Sequence, residues 1–501
     1  MKLRKLRLLT LSGALLALMP VMAQDVYEVE SLSSQDLNGT ARYVGMGGAM
    51  NALGADLSTI GSNPAGIGMY RRNDVAVTGS ITSQPNGEKF LDINKARTSF
   101  DQAGIVFKTN LGGSSLKYIN FGFNYQKRNN FKKYVNVSGP TGGASQMDEL
   151  TALAPYDNYP YLLDAAYDAG AFNIIKNGAT GEVVYTPSYN ATNNKMKKAQ
   201  WGYVSQYDFN VSMNFNHQVY VGVTMGVYDV DKHSGTDYWE GNAADPNIGY
   251  YMNNDERLTG TGFDVKAGVI VRPIKDNPFR FGLSVATPIW YDLTYDGNAY
   301  AEYTNDNWAT NGAGEKYSEP FDYKIRTPWK FNVSAATTIG KIAAIDAEYE
   351  YSDYSTANVS YPDGWDRWNN VKDQYLKEEI KHNLKGVSTV RVGAEVNFLP
   401  NCFVRAGYNY VSSPFEDNAS RNLNIDGPAP KGAVGTEYVN LGAINRLTVG
   451  LGYRVKGFYM DAAYQYQNQE GKVYGFQSAN LPEQKFALNR NNFMLTLGYK
   501  F

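Results

Sequence analysis

The chain carries a single cysteine, Cys402, and only three histidines, His217, His233 and His382, in 501 residues. One thiol closes no intrachain disulfide and builds no cysteine-based zinc or iron–sulfur site. Charge of one sign is also lacking, since 47 Lys and Arg stand against 49 Asp and Glu for a formal charge of −2. That balance gives none of the basic excess by which a nucleic-acid binder is read. Beyond residue 23 no apolar run approaches the ~20 residues of a membrane-crossing helix. Two residue types are abundant instead: 39 tyrosines and 49 glycines, with aromatics at 14%. Length alone suggests about two to four soluble domains. The composition points to one large β structure.

The first residues read as a leader. Lys2, Arg4, Lys5 and Arg7 precede a mostly apolar stretch over 8–21, and Val21-Met22-Ala23 offers a small-residue exit before Gln24. A positive segment, a short apolar segment and a small residue form a secretory signal peptide, expected here over 1–23. The mature chain is then exported, and it is not an α-helical membrane protein.

From residue 74 onward one local pattern repeats. In Phe493-Met494-Leu495-Thr496-Leu497-Gly498-Tyr499-Lys500-Phe501 the odd positions are apolar and the even positions mostly polar or small. Successive side chains of a strand point to opposite faces, so this is a strand with one apolar surface. The same alternation predicts strands over 74–82, 100–110, 117–128, 204–216, 218–230, 260–273, 279–291, 328–339, 341–353, 388–398, 401–412, 444–455, 457–467 and 491–501. These are fourteen segments near the ~9–11 residues with which a tilted strand crosses a bilayer. Their connections alternate, short at 111–116, 217, 273–277, 340, 399–400 and 456, long and polar at 129–203, 231–259, 292–327, 354–387, 413–443 and 468–490. Short periplasmic turns and long extracellular loops are the arrangement of an outer-membrane barrel.

Two further features favour a membrane barrel over a soluble sandwich. Tyr125, Tyr228, Tyr291, Tyr349, Tyr351, Tyr408, Tyr410, Tyr453, Tyr464 and Tyr466 cluster toward strand ends, where aromatic girdles are expected. Asp346, Glu348, Glu350, Arg391, Glu395, Arg405, Arg454 and Asp461 all fall on the parity opposite the apolar set. An arginine facing lipid at mid-membrane costs roughly 2–4 kcal/mol, so these charges are expected in the lumen, paired across strands.

Residues 24–73 do not alternate. Gly45 to Leu53 is small and apolar, compatible with short helices packed closely on something, and Asn63-Pro64 marks a turn. No strand precedes these glycines and no Gly-Lys-Ser/Thr or G-x-G-x-x-G follows them, which makes a nucleotide-loop reading a poor one. Low charge and many small apolar residues favour a segment folded inside the barrel over a disordered one.

Here the sequence resembles a family. Asn63-Pro64-Ala65-Gly66 before the first strand resembles the hatch signature of FadL-type outer-membrane transporters of long-chain fatty acids and other hydrophobic compounds. Thr327-Pro328-Trp329-Lys330, Ala347-Glu348-Tyr349, Val390-Arg391-Val392-Gly393-Ala394-Glu395, Arg405-Ala406-Gly407-Tyr408 and Gly450-Leu451-Gly452-Tyr453-Arg454 are similar to its later strands. The resemblance implies an all-β fold: a fourteen-stranded transmembrane barrel over 74–501, plugged by a hatch over 24–73, in the outer membrane of a Gram-negative cell. It implies passive uptake of a hydrophobic ligand, fatty acid by default, with sideways release at a kinked third strand. Three histidines in turns or loops offer no triad placement, which disfavours a barrel enzyme such as a lipase, and nothing in the sequence suggests a redox or metal cofactor. Lipopolysaccharide and outer-membrane lipid would surround such a barrel, and the barrel-assembly machinery would insert it. Gly122, the only glycine of the third strand, is the candidate kink. Arg391, Arg405 and Arg454 are candidates for an acid headgroup. Two alternatives stay open: haem or porphyrin binding, for which the three histidines are the available ligands, and a non-specific porin, which leaves 24–73 without a role.

Overall fold

The computed structural model describes residues 25–501 apart from 86–89, 91–95, 114, 155–159, 177–182, 243, 246–247, 275–276, 306–309, 318–319, 363–368 and 424–432. The leader expected over 1–23 lies outside the described residues.

Fourteen antiparallel strands form the wall. They are β1 Asp74–Ser83, β2 Ala96–Asn110, β3 Leu116–Asn130, β4 Asn193–Phe215, β5 Val219–Gly241, β6 Gly249–Val271, β7 Arg280–Ala286, β8 Lys330–Ile339, β9 Ala343–Asp353, β10 Gly386–Leu399, β11 Cys402–Val411, β12 Tyr438–Val455, β13 Phe458–Tyr474 and β14 Gln484–Lys500. Each matches one segment read from the alternation. Neighbours pair in chain order, and β14 pairs back onto β1 from Asp74↔Lys500 to Ser83↔Asn491. Closure leaves no edge strand and satisfies the backbone inside a bilayer.

The register itself marks the membrane. On the outer face Phe215, Val219, Val271 and Phe281 share one row, and Tyr207, Val227, Phe263 and Trp290 share another. Between these rows every outward residue of β4 and β5 is apolar: Phe209, Val211 and Met213, then Val221, Val223 and Met225. The distance along β4 is roughly 26 Å, close to the ~25 Å apolar band of an outer-membrane barrel. One row further out the outward residues become Ser205, Asp229, Thr261 and Asp292. Lipid ends there.

Three expectations need correction. The connections read as loops over 129–203 and 231–259 are partly strand, because β4, β5 and β6 run for 23 residues each and stand well clear of the membrane. The strand expected over 279–291 is broken. β7 stops at Ala286, Thr287-Pro288-Ile289 intervenes, and a separate strand runs over Trp290–Thr304. Proline has no N–H for the ladder, so the break falls at Pro288. Finally, Tyr228 and Tyr291 are not girdle residues but are buried inside, at 0% and 1% exposure.

The long strand extensions, the strands over Trp290–Thr304 and Phe321–Arg326, and helices α3 Gln146–Leu153, α4 Tyr161–Asp168 and α5 Gln374–Asn383 enclose an extracellular half. Its apolar core includes Met147, Leu150, Tyr238, Tyr250, Tyr295 and Tyr323. The N-terminal segment contributes α1 Val26–Ser33, α2 Ala41–Gly45 and two 3₁₀ turns, Leu57–Gly61 and Pro64–Met69. Val29 and Leu32 of α1 join the extracellular core, while Met46, Met50 and Ile60 lie fully buried lower in the barrel.

Candidate functional site: the plugged lumen

The plug is held by a few side chains whose chemistry suits the task. Asn63 is fully buried. Its Oδ1 accepts from the Ala65 N–H at 3.2 Å, capping the Pro64–Met69 turn, and its Nδ2 donates to the Asn51 carbonyl at 2.9 Å. Pro64 occupies the first helical position, where a missing N–H leaves nothing unsatisfied. The next anchors come from the wall. Glu348 of β9 accepts from the Met50 and Asn51 N–H groups at 2.6 Å each, and Asp346 accepts from Ala52 and Leu53 at 3.1 and 2.8 Å. Two lumen carboxylates thereby bind four backbone donors of one plug turn, the stronger charge-assisted kind of hydrogen bond.

Glycines of the inner wall mark where the plug sits. A Cβ on Gly268 would overlap the Asn63 side chain, one on Gly222 the Pro64 carbonyl, and one on Gly407 the backbone at Gly47. Gly122 belongs to this set. A Cβ there would stand 2.9 Å from Ile60. The ladder is continuous through Gly122 on both sides, facing Val106 of β2 and Asn210 of β4. The register shifts of β3 against β4 fall elsewhere, at Leu116/Tyr118 and Lys127/Asn129.

The three candidate arginines have distinct surroundings. Arg405 is 1% exposed and donates to Glu395 and Asp461 at 2.6 Å each, with Glu395 also gripping Arg42 of α2 at 2.9 Å. Arg454 lies over the Phe403 ring at 4.2 Å, beside the β12–β13 turn. Arg391 reaches Glu348 and Glu350 at 3.3 and 3.2 Å. Arg405 is thus locked against α2 of the plug and Arg454 lies near the β12–β13 turn, while Arg391 lines a cavity above the plug.

Two cavities lie between plug and extracellular core. The upper, about 80 Å³, is bounded by α1 and by Lys133, Lys198, Lys232, Glu256 and Glu437. Most of its charges are matched, as in Lys198–Glu437 at 2.7 Å and Lys232–Glu28 at 2.6 Å. The lower, about 50 Å³, is lined by Asp36, Leu37, Lys330, Glu350, Arg391 and Arg446. Close to it Arg128 of β3 is 4% exposed, with Nη1 on Gln35 at 3.1 Å but Nε and Nη2 buried without a partner. The Tyr291 hydroxyl is likewise buried and unpartnered. Arg128 sits 5.7 Å from the Tyr228 ring, which meets the Tyr291 ring edge-on at 5.9 Å. Arg128 and Lys330 repel one another electrostatically, which places two cations and a free hydroxyl in one part of the lumen. Sequence reasoning passed over Arg128, although it shares the parity of Gly122 and the alternation assigns both to the lumen.

The histidines do not converge. His217 sits in the β4–β5 turn with φ 55°, His233 stacks on Trp201 at 5.3 Å on the outer face, and His382 lies in α5.

No protein-family model and no curated protein matches the sequence. Solved structures do match. A Pseudomonas aeruginosa FadL homologue aligns over 93% of this chain and 99% of its own, with a TM-score of 0.52 at 12% identity. The barrel has the FadL-type fold. The Ralstonia pickettii toluene transporter TbuX and the P. putida toluene transporter TodX align over the same shares at TM-scores of 0.48 and 0.47, each at 13% identity. A closed fourteen-stranded FadL-type barrel with an apolar outer band is an outer-membrane protein.

Proposed function

We propose that this protein is a passive outer-membrane transporter of hydrophobic ligands, with long-chain fatty acids as its substrate class. The observation that carries the reading is the buried Arg128, whose Nε and Nη2 have no partner among the described residues, with the unpartnered Tyr291 hydroxyl and the cavity-lining Lys330, next to a tyrosine-rich apolar core inside a plugged lumen. Unfilled donors on a buried guanidinium suit an anionic headgroup, with Glu350 the one carboxylate shared by Arg391, Lys330 and Arg128, and the aromatic core suits an acyl chain. The plug supports uptake of particular ligands over an open aqueous pore. Arg391, on the same cavity, remains a candidate headgroup contact. Both cavities are smaller than the ~300–1,000 Å³ of ordinary ligand sites, so transport requires the lumen to open.

The test is binding and uptake of oleate beside a neutral hydrocarbon of similar length. A hydrogen bond to a charged group contributes about 1.5–3 kcal/mol. Arg128→Met with Lys330→Met should weaken oleate binding about tenfold to a hundredfold and leave the neutral ligand nearly unchanged. Equal losses for both ligands would show that these cations do not meet a headgroup. No uptake of either ligand by the wild type would overturn the transport reading.

A further inference from the structure

Above the lipid the wall continues as a sheet. The upper halves of β4, β5 and β6 are flanked on one side by the strand Lys133–Pro140 and on the other by the strands Trp290–Thr304 and Thr310–Tyr317. Two adjacent outward rows cross all six strands. At their centre one reads Lys197, Asp237, Asn253 and Tyr300, and the next Lys195, Trp239, Tyr251 and Glu302. From Asn136 to Glu315 in the first and from Ser138 to Ala313 in the second, neither contains a valine, leucine or isoleucine.

Such a face suits neither lipid nor the middle of a protein interface. Lipid takes an unbroken apolar surface, and the buried core of a protein interface is depleted in charge. Here every ring has a carboxylate or an amide beside it. The Lys195 Nζ lies over the Trp239 ring at 5.5 Å, and Tyr251 meets Tyr300 edge to face at 6.4 Å. The hydroxyls hold the rings in place: Tyr251 donates to Asp237 at 2.7 Å and Tyr300 to Glu302 at 2.8 Å. Asn253 donates to the same Asp237 oxygen at 2.6 Å. All three rings are half-buried, so their orientation is fixed while part of each stays open to the outside. A chain of pyranose sugars matches this pattern. The C–H face of a sugar stacks on an aromatic ring, and its hydroxyls pair with carboxylate and amide oxygens that accept more than one bond.

Height selects the source of the sugar. The Lys197 row stands ten residues beyond Tyr207 on β4, roughly 33 Å along the strand. At a strand tilt of ~40° that is roughly 25 Å above the lipid edge. In between, the outward face carries Asp229, Asp231 and Asp292, with Arg257 drawn to Asp231 at 3.5 Å. A surface of that sign grips no phosphate. The same outward face meets hydrocarbon below and, without a break in register, continues upward past the headgroups. What stands against it there is whatever the lipids of the leaflet carry, and in an outer membrane that is the saccharide chain of lipopolysaccharide.

We propose that this face binds the saccharide chain of the lipopolysaccharide around the barrel. Trp239, Tyr251 and Tyr300 stack on sugar rings, and Asp237, Asn253 and Glu302 pair with sugar hydroxyls. The inference is independent of the transport reading and rests on the barrel's place in the outer membrane. Each chain is tethered beside the wall by its own lipid, so individually weak contacts are enough to hold it. No phosphate takes part, and the contact should therefore persist at high salt.

The experiment is hydroxyl-radical footprinting of the full chain in three kinds of nanodisc. One is phospholipid alone, one adds lipopolysaccharide trimmed to its lipid anchor, and one adds lipopolysaccharide of full saccharide length. Oxidation of Trp239, Tyr251 and Tyr300 should fall severalfold in the third only, at low and high salt alike, while Tyr375 of α5, 53% exposed, stays unchanged. No fall, an equal fall with the trimmed lipid, or an equal fall at Tyr375 would each overturn the proposal. In phospholipid nanodiscs the lipid-free saccharide released from the same lipopolysaccharide should protect Tyr251. A Trp239→Ser, Tyr300→Ser variant should raise the midpoint of that protection at least about tenfold, and an unchanged midpoint would remove these rings from the site. Dextran protecting Tyr251 equally well would mean a face open to any free glycan and would overturn the assignment to lipopolysaccharide. Where the variant fails to insert, the wild-type footprint still decides.

Discussion

Asn63 caps one turn with its oxygen and ties another with its nitrogen, so its removal acts on the plug and not on the barrel. Asn63→Ala deletes a cap, a loss of about 0.5–2 kcal/mol, and leaves the Asn51 carbonyl unpaired. The barrel ladder contains neither group, so insertion should be normal. The expected outcome is a plug that opens more often, read as brief conducting events in planar bilayers where wild type is silent. Gly268→Ala tests the same contact from the wall, since its Cβ would overlap the Asn63 side chain. It should give longer openings than Asn63→Ala, because it displaces the plug instead of loosening it. A silent Gly268→Ala channel would mean that the turn yields at no cost and that the glycine is not required by the plug.

Among the elements, strands inside the membrane were legible and those outside it were not. Within the lipid band one face meets hydrocarbon and the other the lumen, so a period of two appears in the sequence. Above the row of Tyr207, Val227, Phe263 and Trp290 the outer face meets water. There Lys197, Asp237, Asn253 and Tyr300 stand in one outward row, while Tyr238 and Tyr250 face the extracellular core. Polar residues outside and tyrosines inside erase the contrast, and the upper halves of β4, β5 and β6 read as loops. Tyr228 was legible by parity, since Val221, Val223, Met225 and Val227 hold the outer face. Its proximity to other girdle candidates concealed that. The footprint of the plug was not legible, because a glycine on the lumen face looks the same whether it faces water or another backbone. Helix α3 carries an element-scale prediction. Glu149 accepts from the Gln477 N–H at 2.8 Å, and burial pushes its carboxyl up to about 7. An acid whose folded pKa exceeds its unfolded value favours the folded state at low pH and loses that contribution as pH rises through the interval. Docking of α3 should therefore loosen between about pH 4.5 and 7, seen as faster amide exchange over 146–153, and Glu149→Gln should flatten the profile.

At the scale of the whole molecule the barrel and its plug are separable. All fourteen wall strands close through their own backbone ladder, whereas the plug is attached through side chains such as Asp346, Glu348, Glu395 and the Asn63 turn. Deleting residues 26–66 strips four backbone donors from Asp346 and Glu348 and removes Arg42 from Glu395. In a dry interior such orphaned carboxylates would be very costly. Here the deletion also empties the lumen, water enters, and the same groups become solvated; Glu395 additionally keeps Arg405. The shortened barrel should therefore insert and conduct steadily, while wild type remains silent in the same bilayers. Restoring the segment in trans as a peptide should not reseal it, since chain continuity into β1 positions the Asn63 turn against Gly222 and Gly268. A steady, large conductance from wild type would mean that the plug seen inside the barrel does not block it, and the proposed uptake of particular ligands would give way to an open aqueous pore.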